Sequence, residues 1–256
     1  MSYWLYTCSV FILAVSLLLW IYFSSNSDKI VTTYCINLPD EHQRRRHIQR
    51  HFSSLRIRFI DAVDTRDDRW RLYTDHLTDE AIRIMENNLR AGRREHHHEL
   101  TPGAIGCFLS HLKCYHTFLK NGSGDILLVL EDDSIPNPDF IPTLQNILED
   151  LPEDADLILL SHLFNGIKEP TRHTALDLAS RDSSFFLTNC YLITRNGIQQ
   201  IVDHQKAHHD KFDCQIDAYL STLVQQGILK LYLTKDVLCP QSNHQFLTSI
   251  QTLSVG

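Results

Sequence analysis

The feature that most restricts the fold is an apolar run that ends in a cluster of carboxylates. Ile126–Leu130 are five consecutive apolar residues, and Glu131, Asp132 and Asp133 follow them directly. A short apolar run bounded by turn residues is typical of a buried strand, and the turn sequence Asn-Gly-Ser-Gly at 121–124 precedes this run. The sequence therefore predicts a buried strand whose carboxyl end carries three adjacent acidic side chains.

Strand-like and helix-like segments alternate along the rest of the chain. Residue patterns predict strands at 30–38, 57–64, 126–130, 156–161 and 185–194, and helices at 40–55, 78–90, 101–120, 139–150 and 196–204. The helix at 101–120 has the clearest start, because Thr101 is a favourable N-cap and Pro102 suits a first turn. This alternation predicts an α/β fold with a mostly parallel sheet.

Length and charge are consistent with one such domain. The chain has 256 residues and a formal charge of −7, which is enough for one sizeable core. No long basic run is present, so we expect no binding of nucleic acid.

The N-terminal segment has a different composition. Residues 3–23 contain no charged side chain, and about 20 apolar residues are enough for a helix to cross a bilayer. Tryptophan and tyrosine lie at both ends of this segment, where aromatic belts meet the membrane interface. A cleaved signal peptide is the alternative, although its apolar core is usually shorter and its start more basic. We expect a membrane anchor at 1–23, a short stem at 24–29 and a globular domain at 30–256.

An acceptor triplet for N-glycosylation, Asn121-Gly122-Ser123, lies in a predicted turn of the domain. Together with the anchor, it predicts a single-pass type II membrane protein whose domain faces the lumen of the ER or the Golgi. Six of the seven cysteines are scattered through the domain without CxxC spacing. The sequence leaves open whether they are buried apolar residues or form one or two disulfides.

The carboxylate cluster has two interpretations. Residues two apart on an extended chain point to the same side, so Glu131 and Asp133 can converge on one ion. Asp132 then faces elsewhere, unless the chain turns there and presents it too. Oxygen ligands suit Mg²⁺ or Mn²⁺, and ligands of open α/β sheets bind beyond the carboxyl ends of the strands. The alternative is a solvated acidic turn.

Several motifs resemble those of glycosyltransferase family 25, which includes bacterial lipooligosaccharide and procollagen galactosyltransferases. The most specific pair is TPGAIGCFLSHLKCY at 101–115 followed by LLVLEDD at 127–133. Weaker motifs occur in the family's order: YCINLPDEHQRRR, FIDAVD, LILLSH, CYLITRNGIQQIV, FDCQIDAYL and CPQSNHQFLTSI. Together they cover about residues 31–250.

The resemblance implies a single GT-A-like domain that binds a UDP-sugar, most often UDP-galactose. It implies a divalent ion, Mn²⁺ or Mg²⁺, at Glu131 and Asp133, and transfer with inversion to a hydroxyl of a protein or glycan. Inversion by direct displacement needs a base near the acceptor hydroxyl. Our first candidate is Asp217 and our second is Asp213, and an acid on a helix surface is the alternative.

Further residues are candidates for binding the donor, each with a structural alternative. Asn37 and Asp64 lie at the ends of predicted strands and can equally be turn residues, and Arg44 belongs to an arginine run that is typical of a solvated helix face. Ser110 and His111 are adjacent on the predicted helix at 101–120, and the alternative for His111 is a buried, hydrogen-bonded helix histidine. The complete set is Asn37, Arg44, Asp64, Ser110, His111 and Asp132.

One departure from the family pattern concerns function. The family usually has Glu where this chain has Ala104. If that Glu performs a chemical step, the chain is slow or inactive, whereas a capping role would leave the activity intact. The alternative function is therefore a non-catalytic relative that binds sugar nucleotides or acts as a scaffold. The EHHHEL run at 95–100 lacks the i,i+3 or i,i+4 spacing of helical zinc ligands, and we predict a mobile polar loop there.

Overall fold

A central sheet of eight strands organises the protein, in a computed structural model that describes residues 31–242 and 253–255. The strands are β1 (Val31–Asn37), β2 (Ile57–Asp61), β3 (Arg93–Arg94), β4 (Ile126–Glu131), β5 (Leu157–Leu159), β6 (Leu163–Asn165), β7 (Lys168–Pro170), β8 (Leu176–Ala179), β9 (Ser184–Phe186), β10 (Cys190–Thr194), β11 (Leu231–Thr234) and β12 (Ser254–Val255). The helices are α1 (His42–His51), α2 (Asp79–Ala91), α3 (Pro102–Asn121), α4 (Phe140–Glu149), α5 (Arg195–Ala207) and α6 (Ile216–Gln225), with a 3₁₀ helix at Arg69–His76.

The order of strands in the sheet is β2-β1-β4-β10-β5-β11-β8-β7. Strands β2, β1 and β4 are parallel neighbours, whereas β10 is antiparallel to both β4 and β5. Strand β8 is also reversed, since it pairs antiparallel with β11 and β7. The predicted α/β fold is confirmed, and its sheet is mixed: most strands share one direction, but two run against it.

Strand β4 is buried on both faces, which explains its uninterrupted apolar run. Leu127 and Val129 pack into one core with α3, α5 and α6. Ile126, Leu128 and Leu130 pack into a second core with α1 and α4 on the opposite face. A strand covered by helices on both sides has no solvent face and therefore shows no alternation of polar residues.

Helix α3 begins where the sequence predicts. The Thr101 side chain caps it by accepting a hydrogen bond from the Ala104 amide at 3.1 Å. Gly106 allows the helix to approach the chain after β2, because a Cβ there would lie 2.5 Å from the Val63 carbonyl oxygen. The Val63 amide in turn donates to Ser110 Oγ at 2.8 Å. These contacts hold α3 against the loop that follows β2.

Other sequence predictions have mixed outcomes. The expected anchor at 1–23 and stem at 24–29 lie outside the described residues, and in the described part no helix is long and apolar enough to cross a membrane.

The six cysteines from Cys35 to Cys239 are free thiols, so they form no disulfide with one another. Asn121 is exposed at the end of α3. In the loop at 95–100, which is predicted to be mobile, Glu99 is buried and accepts a hydrogen bond from Asn88 at 2.8 Å.

Candidate functional site

A cavity lies where the carboxyl ends of β1 and β4 meet the first half of α3. The loop after β2 and the first turn of α1 complete its walls. All the residues that the sequence suggested for donor or metal binding line this cavity: Asn37, Arg44, Asp64, Ser110, His111, Glu131, Asp132 and Asp133.

Glu131 faces helix α3 and the strand β10 side of the cavity. Its Oε1 accepts a hydrogen bond from Thr188 Oγ1 at 3.2 Å and lies 3.4 Å from His111 Nε2. Its amide donates to the Asn189 carbonyl at 2.7 Å, which ties the end of β4 to the segment before β10. Thr188 and Asn189 were not among the predicted residues, since nothing in their local sequence marks them.

Asp132 faces the opposite way, toward β1 and α1. Its Oδ2 accepts from Asn37 Nδ2 at 2.8 Å, and its Oδ1 accepts from the Arg44 guanidinium at 2.8 Å. Burial raises the pKa of Asp132, and the Arg44 charge opposes that rise. Arg44 is therefore not part of a solvated helix face: its side chain is 13% exposed and pairs with Asp132.

Asp133 is the carboxylate of the three with an unmatched buried oxygen. Its Oδ1 is buried without a hydrogen-bond partner among the described residues. Burial raises the pKa of Asp133 to about 7, and the nearby charges of Glu131 and Asp132 add to the rise. A buried carboxylate without a donor is costly unless a cation pairs with it. This oxygen and Glu131 are the donors that a divalent ion at the acidic cluster would use, and hard oxygen ligands fit Mg²⁺ or Mn²⁺.

A chain of buried polar contacts leads from Glu131 into α3 and β10. His111 is fully buried, and its Nδ1 lies 2.7 Å from the Tyr191 hydroxyl. That hydroxyl lies 2.6 Å from the Tyr115 hydroxyl. One turn earlier on α3, Cys107 also lines the cavity, and its thiol lies within 4.8 Å of the ligand atoms of His111 and Glu131. The i,i+4 spacing of Cys107 and His111 is a sequence signal for this cluster, but these two residues were not predicted as a pair.

Asp64 lies at an arginine-rich rim of the cavity. It accepts a hydrogen bond from Arg66 Nε at 2.9 Å and pairs with Arg69 Nη1 at 2.6 Å. The hydrogen bonds from Arg66 lower the pKa of Asp64 to about 2. Arg66 also lines the cavity, so the rim carries a guanidinium that was not among the predicted residues.

The two candidates for the acceptor base lie outside the cavity lining. Asp217 is in the first turn of α6, where its Oδ1 accepts from the Ala218 amide at 2.8 Å, and burial raises its pKa. Glu131 adds to this rise, so the two carboxylates are close enough to interact. Asp213 is exposed on the turn before α6. Their proposed role remains a prediction.

Ala104 has a different environment from the cavity residues. Its side chain is buried in the apolar core, and it is absent from the cavity wall. It occupies the position at which a capping box places Glu, three residues after the N-cap Thr101. In this backbone, the family's Glu would therefore be placed to cap the helix.

A second ligand cluster occurs in the loop at 95–100. Glu95, His96 and Glu99 bring one ligand atom each within 4.8 Å of the others, a proximity that their spacing in the sequence does not predict. However, Glu99 Oε2 already accepts hydrogen bonds from Asn88 at 2.8 Å and from the Glu95 amide at 3.0 Å. These contacts give Glu99 a role in fixing the loop.

Comparison with known proteins identifies related sequences. The family model described as glycosyltransferase family 25 (LPS biosynthesis protein) matches residues 30–219. The chain is 29% identical over 179 residues to procollagen galactosyltransferase 1-B of Xenopus laevis, covering 66% of this chain and 28% of that protein. It is 26% identical over 178 residues to procollagen galactosyltransferase 2 of Mus musculus, covering 66% of this chain and 27% of that protein.

A shorter match connects the chain to an insect protein. It is 31% identical over 121 residues to a glycosyltransferase 25 family member of Aedes aegypti, covering 46% of this chain and 18% of that protein. The chain thus spans less than a third of the length of each of these relatives.

Proposed function

Because the chain belongs to glycosyltransferase family 25, we propose that it transfers galactose from UDP-galactose to a hydroxyl of a protein or glycan, with inversion. The observation that carries this proposal is the cavity at the carboxyl ends of β1 and β4, where carboxylates and arginines meet. The names of two relatives, both procollagen galactosyltransferases, support the choice of sugar. The domain at 30–256 is then of the GT-A type.

The cavity supplies groups suited to a nucleoside diphosphate. Arg44 and Arg66 line it and provide positive charge for phosphate oxygens. Ser110 fixes α3 against the loop after β2, and Asp64 on this loop would bind sugar hydroxyls at the rim.

Glu131 and Asp133 would hold the divalent ion, Mn²⁺ or Mg²⁺. The buried, unpaired Oδ1 of Asp133 is the structural reason for assigning the ion to this pair. When bound, the ion supplies positive charge that stabilises the departing diphosphate. Asp132 would act indirectly, because both its oxygens are already bonded to Asn37 and Arg44 and thereby position the strand end.

Asp217 is our candidate for the group that accepts the proton of the attacking hydroxyl. Burial raises its pKa, which makes the carboxylate a better base than an exposed aspartate. Asp213 is the second candidate. We also propose that residues 1–23 anchor the protein as a type II membrane protein with its domain in the ER or Golgi lumen. The exposed position of Asn121 supports this orientation, because a glycosylation site must be accessible.

The test is a donor screen with the full-length chain in detergent. UDP release is measured with UDP-galactose and UDP-glucose, with Mn²⁺ or Mg²⁺ and without either, in the presence of collagen-type peptides or glycans. We expect ion-dependent release with UDP-galactose, and Asp133→Asn should abolish it. Binding of UDP-galactose without turnover under any condition would instead support the non-catalytic relative. Absence of both binding and turnover would refute the proposal.

A further inference from the structure

One wall of the cavity combines two softer metal-binding side chains, a thiol and an imidazole, with one carboxylate of the acidic cluster. Cys107 and His111 lie one turn apart on α3, and Glu131 ends β4. One ligand atom of each lies within 4.8 Å of the other two. We infer that Cys107 Sγ, His111 Nε2 and Glu131 Oε1 form a binding site for a zinc-class divalent ion.

The distances agree with tetrahedral coordination. Zinc bonds of about 2.0–2.3 Å place tetrahedral ligand atoms about 3.3–3.8 Å apart. His111 Nε2 and Glu131 Oε1 are already separated by 3.4 Å. The thiol needs to move by only about 1 Å, since the three atoms lie within 4.8 Å of one another. All three residues line the cavity, so a fourth position is open to water or a ligand, as in zinc sites with three protein ligands.

The surrounding residues hold two of the ligands in place. Histidines that bind metals usually donate their other ring N–H to a fixed partner, which sets the tautomer and the ring orientation. The Tyr191 hydroxyl lies 2.7 Å from His111 Nδ1, and the two rings stack at 5.7 Å. Nε2 therefore faces Glu131, whose Oε1 is also held by Thr188 at 3.2 Å. Tyr191 and Thr188 are positioning residues for this site.

The ligand chemistry determines which ions bind. Thiolate and imidazole favour Zn²⁺ and Co²⁺, whereas carboxylates alone favour Mg²⁺ and Mn²⁺. The site therefore differs in class from the pair Glu131 and Asp133, although both use Glu131. A further consequence rests on the proposed function. Zinc bound at this site would make Glu131 unavailable to the Mn²⁺ proposed at Glu131 and Asp133, so zinc should inhibit sugar transfer in competition with Mn²⁺.

Cobalt provides a direct probe of the site in the full-length chain. Co²⁺ bound through a thiolate gives a sulfur-to-metal charge-transfer band in the near ultraviolet, and Zn²⁺ should displace it. Cys107→Ser should remove the band and weaken zinc binding, measured by competition with a chromophoric chelator. Cys214→Ser is the matched control, because Cys214 is also a half-buried free thiol and lies outside the cavity lining. Tyr191→Phe should weaken binding about 10-fold while the band remains.

Several outcomes would overturn the assignment. It fails if the wild type gives no charge-transfer band, or if Cys107→Ser keeps both the band and the wild-type affinity. It also fails if Cys214→Ser, rather than Cys107→Ser, removes the band. Should Cys107→Ser not fold, alkylation of the wild type decides: Zn²⁺ must protect Cys107 from iodoacetamide, and equal labelling with and without Zn²⁺ refutes the site. None of these readouts requires sugar transfer, so an inactive chain that binds zinc would refute only the proposed function.

Discussion

Two adjacent carboxylates should respond in opposite directions to the same substitution. Asp132→Asn removes a charge that Arg44 and Asn37 each contact at 2.8 Å. Asp133→Asn removes a charge whose Oδ1 has no hydrogen-bond partner within residues 31–242 and 253–255. The two substitutions are chemically identical and one residue apart, so any difference between them reports on the local environment.

The contacts give the sign and size of each effect. The Arg44 and Asp132 side chains are 13% and 12% exposed, so Asp132→Asn leaves a poorly hydrated guanidinium. Removing one partner of a buried pair costs about 3–5 kcal/mol, but we expect only about 1–2 kcal/mol here, because the burial that raises the pKa of Asp132 offsets part of this loss. For Asp133, a pKa raised from 3.8 to about 7 means that ionisation costs the folded state at most about 4 kcal/mol. Because Asn is still a buried polar group, we expect Asp133→Asn to add about 1–2 kcal/mol to the free energy of unfolding.

The gain from Asp133→Asn should depend on pH in one direction. Below the unfolded-state pKa of 3.8, Asp133 is protonated in both states, and the substitution removes no charge. Between that pH and about 7, the unfolded chain ionises while the folded chain does not, so the wild type loses stability as the pH rises. The gain should therefore be absent below about pH 3, partial at pH 5 and complete near pH 8.

Urea unfolding of the full-length chain, followed by far-UV circular dichroism at pH 5 and pH 8, measures these differences. Asp67→Asn is the matched control, because Asp67 is 91% exposed and its positive φ also suits Asn. The control should stay within about 0.5 kcal/mol of the wild type. The reasoning is refuted if Asp133→Asn destabilises the ion-free protein at pH 8, or if both variants lose the same free energy.

Three further predictions concern the helix, the departure from the family and the topology. Gly106→Ala should lower the free energy of unfolding by about 1–3 kcal/mol and weaken UDP binding, because the new Cβ would lie 2.5 Å from the Val63 carbonyl oxygen. Calorimetry with UDP and Mn²⁺ measures the binding, and an unchanged affinity would contradict the prediction. Ala104→Glu should not increase turnover, because residue 104 is buried in the core and does not line the cavity. A faster rate at saturating donor would instead show that a glutamate at this position reaches the reacting atoms. Because Asn121 is exposed, we expect it to be glycosylated, so that glycosidase treatment shifts the gel mobility of the wild type but not that of Asn121→Gln. Cleavage of the domain by protease added outside sealed microsomes would place it on the cytosolic side and contradict the topology.

The sequence predicts elements well where burial imposes a pattern. Helix α3 and strand β4 lie close to their predicted limits, because a helix cap and an uninterrupted apolar run mark them. The predicted strand at 185–194 is divided into β9 and β10, because Leu187 has a φ of 78° and breaks the extended chain. The sequence around Leu187 contains no glycine that would indicate this turn. Strand β7 was missed for another reason: its residues are exposed, and only pairing with β8 makes it a strand.

The candidate site was predicted in part for similar reasons. The residue types and the strand end indicated the acidic cluster, but the direction of each carboxylate depends on partners that are distant in sequence. Asp132 pairs with Arg44, 88 residues away, and no local pattern distinguishes Arg44 from its neighbours in the arginine run. Arg45, the next residue, instead lies over the Phe59 ring at 4.2 Å. The reversed direction of β10 was also hidden, because an apolar strand has the same pattern in both directions.

The register of the parallel strands explains why the acidic cluster has a cationic partner at all. Strands β1 and β4 pair so that Ile36 lies opposite Glu131, and the next residues, Asn37 and Asp132, meet directly through a hydrogen bond. The chain then turns from β1 into α1, whose first turns bring Arg44 back to the same carboxylate. A slip of one residue would reverse the direction of every side chain on β1, which would turn Asn37 away and force Tyr34 and Ile36 into the core on the opposite face. The burial of the apolar residues of β1 and β4 therefore fixes the same register that offsets one of the three negative charges and leaves Glu131 and Asp133 available for a cation.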